Sequence, residues 1–377
     1  MKDKKIAVMG ATGAVGREML RVLNEYGVPC ENILPLASGR SEGRKLPYGT
    51  AEVTVRKCTE ESFNGVDIVL GATDADTARR FAPSIKVSGA VFIDNSSAFR
   101  MRDDVPLVIP EINGDDALRH SGIISNPNCS TIITLMAVYP LHRLSQIERM
   151  VVSTYQAVSG AGRDGMEELI AQNKAIAEGR ETESHAFAHR IAENLIPKIG
   201  SLSDDDYTSE EMKMQNEGRK ILHSPSLTVT CTCVRVPVMR SHSISAAVYT
   251  RESISVSAAK KAIGDFSGDI LYDAPEAEIY PMPIIAEGKN EVYVGRVRRA
   301  LDSARYFALV FGRPDTQGRG GKCCSDSGIY LPKIKLFCKE RAGVLTSCRP
   351  SIIIITERLS KNHRFATEKC VMRRWVA

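Results

Sequence analysis

The stretch "KKIAVMGATGAVGREMLRVL" limits the fold more than any other part of the chain. Ile6–Met9 is a short apolar run of strand type, and the residues after Gly16 follow the spacing of an amphipathic helix. Between them stand Gly10, Gly13 and Gly16, a G-x-x-G-x-x-G pattern, with Thr12, Ala14 and Val15 filling the turn. Without a Cβ, such a turn bends sharply, and its backbone can approach a pyrophosphate that rests on the helix N-terminus. The simpler alternative is a strand–helix turn that holds nothing. Either way the chain starts as an α/β unit, and a cradle for a dinucleotide is the functional expectation.

The next strand ends in "LASGRSEG". An NAD site places an acidic residue at this point to hold the ribose hydroxyls. Here Ser38, Arg40 and Ser41 stand instead, and hydroxyls beside a guanidinium suit a 2′-phosphate, so NADP(H) is expected. "VDIVLGATDADTARRFAP" and "GAVFIDNSSAFR" repeat the strand–turn–helix rhythm. The second ends at Arg100, either an anion clamp or an ordinary surface arginine.

Composition bounds the rest. The chain has 377 residues, 43% apolar and 25% charged, with a net charge of +5 and no dominant basic block. That fits about two soluble domains with small anionic ligands, and argues against nucleic acid. No apolar run reaches the roughly 20 residues of a membrane span. The start leads directly into a strand, so no signal peptide is expected, and the ten cysteines follow no secreted disulfide pattern. A cytoplasmic location is the expectation. Cys231 and Cys233 lack a second pair at zinc spacing, so no metal site is expected.

"SNPNCSTI" sets Cys129 after Asn-Pro-Asn at the head of an apolar run. Cys129 is either a small buried residue that starts a helix, or a nucleophile whose thiolate is favoured by the helix N-terminus. Further on, "MVVSTYQAVSGAGRDG" reads as a strand with Gln156 and Ser159–Gly162 at its mouth. Glu210 and Lys213 share one face of the helical "TSEEMKMQNEGRKIL". "LTVTCTCVRVPVMRSHSISAAVYT" reads as a strand pair with a turn, carrying Arg235 and His242.

"GATGAVG", "LASGRSEG", "NSSAFR", "SNPNCSTI", "YQAVSGAG", "EEMK" and "CVRVPVMRSHS" together resemble the aspartate-β-semialdehyde dehydrogenase family in order and spacing, from residue 4 to about 311. N-acetylglutamyl-phosphate reductase shares the general layout. Its cysteine segment does not read N-P-N-C-S-T, and it lacks R-V-x-x-x-R-x-H. The resemblance implies a Rossmann-type NADP-binding domain over residues 1–125. An α+β catalytic and dimerisation domain with a mixed sheet would follow over 126–311, assembled as a homodimer or dimer of dimers. It implies Cys129 as nucleophile, His242 as acid/base and Gln156 as the residue that orients the acyl group. Arg235 would take the substrate carboxylate, Glu210 its ammonium, and Arg100, Asn128 and Lys213 its phosphate. Gly10, Thr12, Gly13, Ala14, Val15, Gly16, Ser38, Arg40, Ser41, Ser159 and Gly160 would line the cofactor.

The resemblance stops at Phe311. The family continues with a segment like D-x-x-R-K-G-A-A-x-N-A-V-Q-I-A-E, where this chain reads "GRPDTQGRGGKCCSDSG". Five of the ten cysteines and the single Trp lie beyond Gly312, as does "SIIIIT", an uncharged β-prone run. Codons exist that encode Phe311–Gly328 as they stand. With one G removed after the Phe311 codon, the same bases read F-A-D-Q-I-R-K-G-A-A-A-N-A-V-Q-I-A. A one-base frameshift near Gly312 is therefore expected, with residues 312–377 a poorly ordered, out-of-frame tail. The other expectation, from a different class, is an inactive product of a damaged gene.

Overall fold

The computed structural model describes residues 3–300, 306–312, 335–338 and 352–355. In chain order the first part contains β1 (Ile6–Met9), α1 (Ala14–Glu25), β2 (Ile33–Ala37), a hairpin of β3 (Lys45–Tyr48) and β4 (Ala51–Thr54), and β5 (Arg56–Lys57). Then come β6 (Ile68–Gly71), α2 (Ala75–Val87), β7 (Val91–Asp94), the short α3 (Pro110–Asn113) and β8 (Ile123–Ser125).

These form a six-stranded sheet in the order β5-β2-β1-β6-β7-β8, parallel throughout. A parallel sheet is covered on both faces, so its strands read as continuous apolar runs. β1 shows this residue by residue. Ile6 and Val8 pack with Leu20 and Leu23 of α1 on one face, and Ala7 and Met9 pack with Phe81 and Ile85 of α2 on the other. The strand order reverses between β1 and β6, where an open α/β sheet forms its ligand crevice.

The second part contains α4 (Cys129–Leu144), β9 (Ile147–Gln156), α5 (Gly162–Ala177), α6 (Ser209–Ile221), β10 (Thr228–Arg235) and β11 (Ser243–Thr250). It continues through α7 (Val256–Gly264), β12 (Asp269–Leu271), the short α8 (Pro283–Ala286), β13 (Val292–Arg299) and β14 (Tyr306–Gly312). Its sheet runs β10-β9-β11-β14-β13-β12. The β10–β9 and β12–β13 pairs are parallel and the others antiparallel, so the sheet is mixed as expected.

One expectation is corrected here. β10 and β11 are not a strand pair, because β9 lies between them, parallel to β10 and antiparallel to β11. The loop 236–242 crosses the end of β9 instead of closing a hairpin. This brings Arg235, Gln156 and His242 to one edge of the sheet. One face of the sheet is sealed by the buried α4, through Ile132, Leu135, Met136 and Val138. On the other face Arg149, Tyr155, Thr228, Thr230 and Thr232 are exposed.

Within the stretch expected to be poorly ordered, Gly312 closes β14, and Lys335–Cys338 pairs antiparallel with Ile352–Ile355, so the β-prone run does form a strand. The remainder of that expectation lies outside the described residues. Among the described residues no helix is long and apolar enough to cross a membrane.

Candidate active site

The glycine turn has the backbone that its sequence demands. Gly10 has a φ of +87°, and a Cβ there would lie 2.3 Å from the Ala72 carbonyl oxygen at the end of β6. A Cβ on Gly16 would meet the Gly10 carbonyl oxygen at 2.3 Å, so helix and turn touch backbone to backbone. Gly13 is the N-cap of α1 and offers no side-chain acceptor to the first helical amides. That leaves the helix start chemically suited to an anion. Ser38 and Arg40 are exposed and Ser41 is half-buried, all in the turn directly after β2.

The nucleophile candidate is set by its neighbour. Asn128 caps α4, its Oδ1 accepting from the Ser130 and Thr131 amides at 3.0 and 3.3 Å. Such a cap contributes about 1 kcal/mol and fixes the first helical residue, here the half-buried Cys129. Asn128 is tied twice more. Its Nδ2 donates to Glu210 Oε1 at 2.9 Å and its backbone N–H donates to Glu217 Oε2 at 2.7 Å.

Glu210 is the hub. Oε1 also accepts from Gln156 Nε2 at 3.4 Å, and Oε2 pairs with Lys213 Nζ at 2.9 Å. Burial alone would push this carboxyl up. The Lys213 charge and the donors from Asn128 and Gln156 outweigh burial and hold it below the usual carboxylate range. The pair thus joins the buried Glu210 carboxylate to a half-buried Lys213, and is less exposed than the surface ion pair that its spacing also allowed.

The crossing loop completes the edge. Ala157 donates its N–H to His242 Nδ1 at 3.1 Å, and its carbonyl accepts from Arg235 Nη1 at 2.6 Å. The backbone of one residue thus orients both side chains. Because Nδ1 accepts, the proton of the neutral ring belongs on Nε2. Ser241, just before the histidine, has a φ of +71°. A left-handed non-glycine residue costs about 1–3 kcal/mol and marks a turn that the surroundings enforce. A Cβ on Gly160 would lie 2.6 Å from Arg235 Nη1 and 3.3 Å from His242 Cε1, so only glycine leaves these side chains in place. Ser159 beside it is buried.

Arg100 is 8% exposed and sits on the loop after β7. Its Nη1 donates to Glu217 Oε1 at 3.0 Å and its Nη2 to the Asn95 carbonyl at 2.8 Å. Hydrogen bonds therefore link Arg100, Asn128, Gln156, Glu210 and Lys213 into one network, and Arg235 to His242 through Ala157. Two contributors were missed from sequence. Glu217 and Lys220 repeat the Glu210–Lys213 pair two helical turns along α6, and that seven-residue repeat was the available signal.

The fold and this constellation define a dinucleotide-binding domain joined to a mixed-sheet domain with a cysteine at a helix N-terminus. A family model described as "Semialdehyde dehydrogenase, NAD binding domain" matches residues 5–120, and one described as "Semialdehyde dehydrogenase, dimerisation domain" matches 138–312. The chain is 46% identical over 299 residues to an aspartate-semialdehyde dehydrogenase of Aquifex aeolicus, covering 78% of this chain and 88% of that relative. It is 43% identical over 312 residues to that of Bacillus subtilis, covering 81% and 90%. The crystal structure of aspartate semialdehyde dehydrogenase II from Vibrio cholerae has a TM-score of 0.80 at 38% identity, over 83% of this chain and 94% of that one. A second structure of the Vibrio cholerae protein, complexed with ASA, matches equally well in TM-score, 0.80 at 37% identity over 84% and 94%. This chain belongs to the aspartate-semialdehyde dehydrogenase family.

Proposed function

We propose that the scaffold catalyses the NADPH-dependent reductive dephosphorylation of L-aspartyl-4-phosphate to L-aspartate-4-semialdehyde, reversibly, as a step in lysine, methionine, threonine and diaminopimelate synthesis. The observation that carries this reading is the Asn128–Glu210–Gln156–Lys213 network beside Cys129. It offers a carboxylate for an ammonium, cations and amides for phosphate, and a nucleophile held by a helix cap.

The Cys129 thiolate attacks the acyl carbon, the C–O bond to phosphate breaks, and a thioester to Cys129 remains. NADPH, held by the glycine turn and by Ser38, Arg40 and Ser41, would supply the hydride that reduces the thioester. His242 donates its Nε2–H to the developing oxyanion of the hemithioacetal as a hydrogen bond, sharing the proton without leaving the ring an anion. As the carbonyl re-forms, the C–S bond breaks, the thiolate leaves and the proton stays on Nε2. Gln156 orients the acyl oxygen. Arg235 holds the α-carboxylate as a two-pronged donor that lysine does not imitate. Arg100, Lys213 and Asn128 hold the phosphoryl group.

The glycine cradle suits a pyrophosphate, since glycines at 10 and 16 let the turn lie backbone to backbone against β6 and α1, and Gly13 leaves the helix amides uncapped by a side chain. Ser38, Arg40 and Ser41 suit a 2′-phosphate, with Ser159 and Gly160 at the reactive end. The family assigns a dimerisation domain, and the exposed outer face of the second sheet supports a homodimer or a dimer of dimers. A cytoplasmic setting accords with the five described cysteines, none of which is in a disulfide.

We take residues 1–125 as the nucleotide-binding part, 126–311 as the catalytic part and residues 312–377 as translated out of frame. The end of the family match at residue 312 supports this division. In this form the chain is a poor catalyst, because the segment that follows β14 in the family is replaced. The test is expression of the 377-residue chain beside a frame-restored one, with phosphate-dependent oxidation of the semialdehyde as the assay. Equal activity of the two would overturn the frameshift reading. Inactivity of both would overturn the assigned reaction.

A further inference from the structure

We propose that Glu217 is the positioning residue of the phosphate subsite, holding Arg100 in register with the peptide that precedes Cys129. The proposal rests on the reading of Arg100 as a phosphate ligand. Glu217 is 1% exposed and lies on α6, two turns beyond Glu210 and on the same face. Its two oxygens serve two different parts of the chain. Oε1 accepts from Arg100 Nη1, on the loop after β7, and Oε2 accepts from the Asn128 amide, at the start of α4. A carboxylate is the side chain that offers two acceptors at this fixed separation and no donor. Three residues further along α6, Lys220 Nζ donates to the carbonyls of Arg100, Arg102 and Val105 at 2.8, 2.6 and 2.9 Å. The same helix face thus grips the Arg100 loop at both a side chain and the backbone.

Arg100 keeps donors in reserve. Its Nε is buried with no hydrogen-bond partner, and each Nη holds a second N–H. An oxyanion is the group that would satisfy them. The cations of the subsite are balanced in place, Arg100 by Glu217 and Lys213 by Glu210. Binding therefore depends on how the N–H groups are aimed more than on net positive charge. This separates positioning from simple electrostatics. Removing the Glu217 charge leaves Arg100 uncompensated, and charge alone then predicts tighter phosphate binding. A positioning role predicts weaker binding.

The experiment uses the full 377-residue chain and does not need turnover. Iodoacetamide labelling of Cys129 is followed by peptide mass spectrometry against increasing inorganic phosphate, with labelling of the half-buried Cys30 as the control. In the wild type, phosphate is expected to slow Cys129 labelling to saturation. For Glu217→Gln the half-protecting phosphate concentration is expected to rise about tenfold or more, because one of the two acceptors becomes a donor. For Glu217→Asp, which keeps the charge but is one methylene shorter, an intermediate rise is expected, with Cys30 labelling unchanged in both variants. A Glu217→Gln value equal to or lower than wild type overturns the positioning role while leaving the phosphate reading intact. No protection in the wild type overturns the phosphate reading itself. If Glu217→Gln does not fold, Glu217→Asp decides, and wild-type protection in that variant sinks the proposal.

Discussion

At the ligand edge of the first sheet the molecule offers backbone, whereas at the corresponding edge of the second sheet it offers side chains. The cradle of Gly10, Gly13 and Gly16 is made by what is absent, since a Cβ at Gly10 or Gly16 would collide with a carbonyl oxygen. The Cys129 edge is made by buried donors and acceptors drawn from α4, α6, β9, β10 and the loop before β11. A site made of backbone tolerates exchange of its neighbours but not of its glycines. A site made of networked side chains concentrates its sensitivity in a few atoms that nothing else can replace.

The most severe test of the second edge is its proposed nucleophile. In a frame-restored chain, Cys129→Ala is expected to abolish turnover while thermal melting stays near wild type, since the Asn128 cap of α4 is untouched. Substantial residual activity would remove Cys129 from the chemistry. His242→Ala comes next. Loss of a general acid/base costs about 10²–10⁴-fold, here in kcat with substrate binding largely kept. A change limited to KM would make His242 a binding residue.

Glycine substitutions compare the two edges directly. Gly10→Ala places a Cβ against backbone at a positive φ, and should cost about 1–3 kcal/mol of stability together with cofactor binding. Gly160→Ala meets the tip of Arg235, which can swing away. Its stability should change little, yet kcat/KM should fall roughly 10²-fold as Arg235 and His242 are misplaced. Equal melting losses in both would erase the distinction. A weaker effect is expected at the exposed Arg40. Arg40→Asp should reduce the NADP-over-NAD preference by roughly 10–100-fold, since a hydrogen bond to a charged group is worth about 1.5–3 kcal/mol.

The same contrast explains what the sequence disclosed. The first sheet was legible because each strand–helix unit is local and its glycines answer local steric demands. Cys129, Gln156, Arg235 and His242 were legible as residue types, but their meeting was not, because β9 inserts between β10 and β11. Hairpin logic favours neighbours in sequence, and pairing across the sheet is settled by burial of the β9 core residues Met150 and Val152. Glu217 escaped notice for a related reason. A glutamate among helical charges looks solvated until the Arg100 loop, more than a hundred residues away in the chain, folds over it.

Two buried carboxyl groups carry this reasoning into a stability test, the smallest effect expected here. Glu210 is held below the usual range because partners surround it, whereas Asp269 at the start of β12 is buried with neither carboxyl oxygen hydrogen-bonded. Burial pushes its carboxyl well above the usual range, and the Glu111 charge adds to the shift. The native state therefore keeps a proton on Asp269 that the unfolded chain gives up near the ordinary carboxylate range. From there up to the raised native value, the folded form binds more protons than the unfolded form, so stability falls as pH rises. Below that window both states are protonated and the contribution is constant. Asp269→Asn carries no titrating proton, so it should melt close to wild type in acid and a few degrees above it at neutral pH. With roughly 2–4 °C per kcal/mol for a domain of about 150–250 residues, the difference is measurable by differential scanning calorimetry. A melting difference independent of pH would mean that Asp269 is ionised in the native state, and that a cationic partner reaches it.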